Sequence, residues 1–158
     1  MQEISVDKLQ TSVWKNFYDL IKEKVTSVYI YGSGGAGTKK VDIKSVLSQY
    51  ADKGLDKSSD YPIIVVNMPT NDFSNLSFRE MLVKGDIVFE CYATQTETRD
   101  KIVEAITYQI MSNRSELMTY KITLSDNPIQ DQDSGQYTRG AINVHYGSIR
   151  VAYEYNYQ

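Results

Sequence analysis

The sequence predicts an α+β fold: a single, mostly antiparallel β-sheet of about four to five strands packed by two to three α-helices, with long polar loops. Three observations carry this. Apolar residues recur at helical spacing in two long stretches, and they alternate with polar residues in several others. The 158 residues, 41% hydrophobic and 23% charged, suit one hydrophobic core, so residues 1–158 are read as a single domain.

Val6, Leu9, Val13, Phe17 and Leu20 follow Ser5, a good N-cap, at helical spacing, which predicts a helix over about residues 6–23. Trp14 and Ile21 widen its apolar stripe. A strand fits Val25 to Tyr31, and a glycine-rich loop follows. Ile43, Val46, Leu47 and Tyr50 then fall at i, i+3, i+4 and i+7, with Asp42 before them and Gly54 beyond, which reads as a short capped helix. After a polar linker, Ile63-Ile64-Val65-Val66 is β-branched throughout and too short for a helix, so it is expected to be a strand buried on both faces. Asn71 to Ser77 is turn-rich.

From Met81 to Ala93 the odd positions are apolar, giving a long strand with a bend expected at Gly85. Thr94-x-x-Glu97 reads as a capping box ahead of Ile102, Val103, Ile106, Ile110 and Met111, a helix over about 95–112. Met118, Tyr120, Ile122 and Leu124 alternate as a further strand, and Ser125 to Thr138 reads as a polar loop. The last segment is apolar at Ile142, Val144 and Tyr146, then at Ile149, Val151, Tyr153, Tyr155 and Tyr157. That change of phase at Gly147-Ser148 fits a bulge in one strand or a two-residue hairpin, with the bulge favoured.

A net charge of −3 argues against a dedicated nucleic-acid binder. One cysteine excludes an internal disulfide framework, and the start MQEISVDK lacks the basic and apolar regions of a signal peptide, which predicts a reducing cytosol. No apolar run approaches the roughly 18 residues of a membrane span, so no membrane association is expected. Thirteen Tyr against four Phe suits surfaces that meet other proteins.

Gly32-Ser33-Gly34-Gly35-Ala36-Gly37 matches G-x-G-x-x-G, but the expected helix starts five residues later, behind Asp42, whose carboxylate would occupy the donors that a phosphate needs. Gly37-Thr38-Lys39 puts threonine where a Walker A loop has lysine. The loop reads better as a glycine-rich connection with a basic tip at Lys39 and Lys40. His145 falls on the polar parity of its segment and Cys91 on the apolar parity of its own, a solvated histidine and a buried inert thiol. Asp126, Asp131 and Asp133 lack the ligand spacing of a calcium loop. No catalytic constellation, cofactor or metal is expected.

The order of elements, with "YPIIVV", "GDIVFECYATQTETRDKIVEAI" and "GQYTRGAINVHY…RVAYEY", resembles the tail terminator (tail-completion) proteins of long-tailed bacteriophages. The resemblance implies a virion structural protein, made in the host bacterial cytoplasm and placed at the head-proximal end of the tail. It implies a homo-hexameric ring that caps the tail tube protein, stops polymerisation and docks the head-completion or neck protein, with DNA passing through the lumen without specific binding. In that setting Asp126, Asp131 and Asp133 could line the lumen and repel phosphates over a Debye length of about 8 to 10 Å. Segments 32–40 and 126–139 become the docking loops. Arg139 becomes the expected ring anchor, gripping Asp131 or Asp133 of the next subunit, with Lys39 and Lys40 as further interface candidates. The alternatives are another phage neck, baseplate or tail assembly protein, and a nucleotide-binding enzyme using the Gly32–Gly37 loop.

Overall fold

The computed structural model describes residues 9–31, 38–51, 54–75 and 81–157. Helix α1 (Leu9–Lys24) buries Val13, Phe17, Leu20 and Ile21 along one stripe. Strands β1 (Ser27–Ile30) and β2 (Lys39–Asp42) pair antiparallel as a two-stranded sheet of their own. The main sheet has six strands. They are β3 (Ser45–Leu47), β4 (Ile63–Val66), β5 (Thr70–Asn75), β6 (Met81–Ala93), β7 (Ile122–Arg139) and β8 (Ile142–Tyr157), with α2 (Thr96–Ser112) and α3 (Arg114–Thr119) between β6 and β7. The order is β3-β4-β6-β8-β7, and β5 takes the stretch of β6 that β4 leaves free. Among the described residues only β3 and β4 run parallel, so the fold is α+β and mostly antiparallel.

Odd-numbered residues of β6 and β8 share one face, because the two strands pair without interruption from Met81 opposite Tyr157 to Ala93 opposite His145. Val83, Ile87, Phe89, Ile149, Val151 and Tyr153 on that face are buried under α1 and under the Ile102, Ile106 and Ile110 stripe of α2. Phe17 meets Phe89 edge-on and tilts against Tyr153, each at 5.8 Å between centroids. β4 is buried on both faces, as its composition predicts: Ile64 and Val66 enter this core, while Ile63 enters a second, smaller one.

That second core corrects the expected bulge. β8 is one strand with neither bulge nor hairpin at Gly147-Ser148, and its apolar parity changes because the covered face changes. Ile142, Val144 and Tyr146 point to the reverse of the sheet, where Val144 packs with Tyr61, Ile63, Leu47, Tyr50 and Tyr137. The bulges lie in the partner strand β7, between Leu124 and Ile129 and between Asp131 and Asp133.

Other expectations also give way to pairing. The helix expected over Ile43 to Tyr50 is instead the short strand β3 between irregular segments, because the edge of the buried β4 offers a parallel ladder to Ser45, Val46 and Leu47. Asp42 is therefore a strand residue, not a helix cap. The polar stretch 125–138 is most of β7, and 70–75 is β5, so strands replace the long loops and outnumber the four to five expected. Met118 belongs to α3 rather than to a strand, and the ladder starts at Ile122 after Lys121, which has a φ of 64°. β6 keeps its register through Gly85. The capping box does not form: Gln95 precedes α2 without a side-chain cap, and the Glu97 carboxylate instead accepts the Tyr31 N–H at 2.5 Å. No helix among the described residues is long and apolar enough to cross a membrane.

Candidate functional site

Two polar constellations stand out, one on each face of the sheet. On the reverse face, Tyr50, Tyr92, Tyr137 and Tyr146 form a chain of ring contacts, with Tyr50 and Tyr92 stacked at 4.1 Å and 14°. The Tyr61 hydroxyl donates to the Leu55 carbonyl at 2.5 Å, so the Tyr50 hydroxyl, also at 2.5 Å, must be the donor to Tyr61. Glu90 accepts from the Tyr92 hydroxyl with one carboxylate oxygen and from Asn67 Nδ2 with the other, the latter at 2.9 Å. Burial first, then these neighbours, pushes the Tyr61, Tyr92 and Tyr137 hydroxyls well above the ordinary tyrosine range. The Tyr137 hydroxyl is buried without a properly oriented hydrogen-bond partner, with Tyr50 and Arg139 as its polar neighbours.

Arg139 closes this cluster. Its guanidinium lies over the Tyr50 ring at 4.6 Å and donates to the Ala51 carbonyl at 2.7 Å. Asp131 and Asp133 lie six or more residues back along the same strand, a separation of roughly 20 Å. The structure therefore does not bring Arg139 together with its expected carboxylates within one chain, and the segment before it is paired strand rather than free loop.

On the helix side, α2 and β7 flank an open groove of about 540 Å³. Arg99, Asp100 and Glu104 line it from the helix and Asp131 and Asp133 from the strand, with Gly147 of β8 at its floor. A Cβ at 147 would be in ordinary contact with Arg99 and Val103, each at 3.4 Å, so α2 packs directly over Gly147. Arg99 Nε already binds Asp100 at 2.9 Å. Glu104 lies 3.5 Å from the Lys101 ammonium, so four carboxylates face one guanidinium and one ammonium, and the groove is acidic on balance.

The remaining candidates are scattered. Asp126 is exposed in the irregular stretch of β7 beside Asn127, whose φ is 49°, and stands outside the groove. Lys39 and Lys40 are exposed on β2, and Lys40 makes one loose pair with Asp42 at 3.7 Å. The Gly32–Gly37 loop lies outside the described residues. The strand β2 follows it where a phosphate loop needs a helix N-terminus.

Cys91 is fully buried with its thiol pushed up to about 12 by burial, and its Sγ–H donates to the Arg99 carbonyl at 3.5 Å. His145 is half-buried on β8, opposite Ala93 and Gln136. Among the described residues no group of three or more His, Cys, Asp or Glu is arranged to hold a metal ion.

Sequence reasoning missed the tyrosine cluster and the helix half of the groove. The tyrosine excess was visible, but it reads there as surface, whereas Tyr61, Tyr153 and Tyr155 are buried. Asp100 and Glu104 carried an i, i+4 acidic signal on one helix face; nothing local pointed from them to Asp131. No protein-family model and no curated protein matches the chain.

Proposed function

We propose that this chain is a structural subunit of a long-tailed bacteriophage virion, a tail terminator that closes into a ring on the last tail-tube layer and receives the head-completion complex. The observation that carries the reading is the partly uncovered sheet. Helices cover most of one face, and on the reverse face the second core covers only the Val144 end, so that Lys84, Val88, Arg150, Ala152 and Glu154 of β6 and β8 stay half-buried or exposed. A ring requires two unlike surfaces on one stable body that meet head to tail and close. The long edge strand β7, the open reverse face and the α2–β7 groove offer such unlike surfaces on a single core.

The chemistry-bearing side chains support the same reading. Cys91 is sealed in the core, Arg139 braces a tyrosine, and Glu90 orders Tyr92 and Asn67. A strand, β2, rather than a helix N-terminus follows the glycine loop, which weighs against the nucleotide alternative. Native mass spectrometry and negative-stain microscopy of the purified chain test the proposal. A closed ring with a central opening, hexameric as the resemblance implies, supports it; a monomer at every concentration, or an open filament, overturns it.

A further inference from the structure

The β1–β2 hairpin and the α2–β7 groove both adjoin helix α2. Glu97 in its first turn accepts the backbone N–H of Tyr31, just past β1. Arg99 and Val103 overlie Gly147 at the groove floor, and no described residue of the hairpin lines the groove. The two surfaces are complementary in charge. Lys39, Lys40 and Lys44 are exposed on or beside β2 against one exposed carboxylate, Asp42. The groove opposes them with Asp100, Glu104, Asp131 and Asp133. Tyr29 pairs across the hairpin with Lys40 and so shares its outward face. Tyr29 and Tyr31 are 59% and 64% exposed, large amphipathic rings of the kind that anchor interfaces.

We infer that the hairpin of one copy of this chain seats in the α2–β7 groove of the next, with Lys40 on the tyrosine face against Asp131 and Asp133, Lys39 at the edge of the contact and the two tyrosines packed at the rim. This inference rests on the ring reading and specifies its contact. A heterologous contact between two unlike surfaces of one chain is the kind that a closed ring repeats around its axis. Charge complementarity across it fixes register and rejects the mirror-wise approach of groove to groove or hairpin to hairpin.

The test uses the full chain in two charge-reversed forms, K39E/K40E and D131K/D133K. All four side chains are exposed, so circular dichroism and melting should match the parent. Sedimentation and native mass spectrometry should show each variant alone dissociating, with a dissociation constant raised about tenfold or more. An equimolar mixture should recover the oligomer, because each intact hairpin finds an intact groove and each reversed hairpin a reversed groove. The parent oligomer should also weaken as NaCl rises from about 0.05 to 0.5 M. If either reversal unfolds the chain, K39Q/K40Q and D131N/D133N replace it, with a smaller rise in dissociation constant expected. A parent ring that both variants preserve, or that mixing fails to restore, overturns the contact and leaves the ring reading standing. A parent chain that never associates overturns both.

Discussion

The guanidinium of Arg139, the last residue of β7, lies 4.6 Å above the ring of Tyr50, a residue 89 positions earlier that ends the β2–β3 region. With the Arg139–Ala51 hydrogen bond, this contact ties the far end of the β7–β8 hairpin to the segment leading out of β3. It is a brace within one chain.

Replacing that arginine should therefore be felt in stability. Arg139→Glu loses the cation–π contact and the bond to Ala51 and brings a carboxylate against the same ring face, at an expected cost of about 1 to 3 kcal/mol. Thermal melting should fall by roughly 2 to 10 °C. Arg139→Lys should lose part of this, since an ammonium stacks less well. An unchanged melting temperature with a smaller oligomer would move Arg139 to the ring contact instead.

Glu90 is the organising acceptor of the reverse-face cluster. Glu90→Ala leaves the Tyr92 hydroxyl and the Asn67 amide without their shared partner, and about 1 to 3 kcal/mol should be lost in urea unfolding. Glu90→Gln keeps one acceptor and should lose less. Equal losses in the two variants would show that both carboxylate oxygens are required, and no loss in either would contradict the assignment.

Alkaline pH should destabilise the fold earlier than ordinary tyrosine titration suggests. The Cys91 thiol is pushed from 9.0 up to about 12 by burial, and Tyr61, Tyr92, Tyr137 and Tyr153 are raised from 10.0, burial again first. Above pH 9 the unfolded chain releases these protons while the native chain keeps them, so the unfolded state binds fewer protons and stability falls as pH rises. The contribution is complete below pH 9 and is lost progressively through the raised native values. Urea midpoints between pH 8 and 12 should decline, and Cys91→Ala should remove the earliest part of the decline. A flat profile to pH 11 contradicts this. The native thiol should also resist a bulky disulfide reagent until urea exposes it.

Gly140 turns the chain from β7 into β8 with a φ of +61°. An added side chain would need the left-handed conformation and would meet Asp56 Cβ at 3.2 Å. Gly140→Ala should cost about 1 to 2 kcal/mol, read as a lower urea midpoint with the unfolding slope unchanged. A midpoint equal to the parent's would mean that the turn rearranges freely.

Periodicity alone determined the elements whose burial is one-sided and continuous. The Phe17 stripe of α1, the Ile102–Ile106–Ile110 stripe of α2, the odd positions of β6 and the doubly buried Ile63–Val66 all lie where their patterns place them, because burying such a pattern against one core admits a single local geometry. The polar elements were decided by partners far away in sequence. Asp131 and Asp133 sit on a strand because β8 offers them a ladder, and Val46 is strand because β4 offers an edge. The change of parity at Gly147-Ser148 was legible as a fact, but its cause is a second apolar layer assembled from Tyr50, Tyr61 and Tyr137. The groove and the tyrosine cluster were invisible for the same reason. Each joins residues from three or more elements, and a local pattern records which face of an element is buried, not what it is buried against.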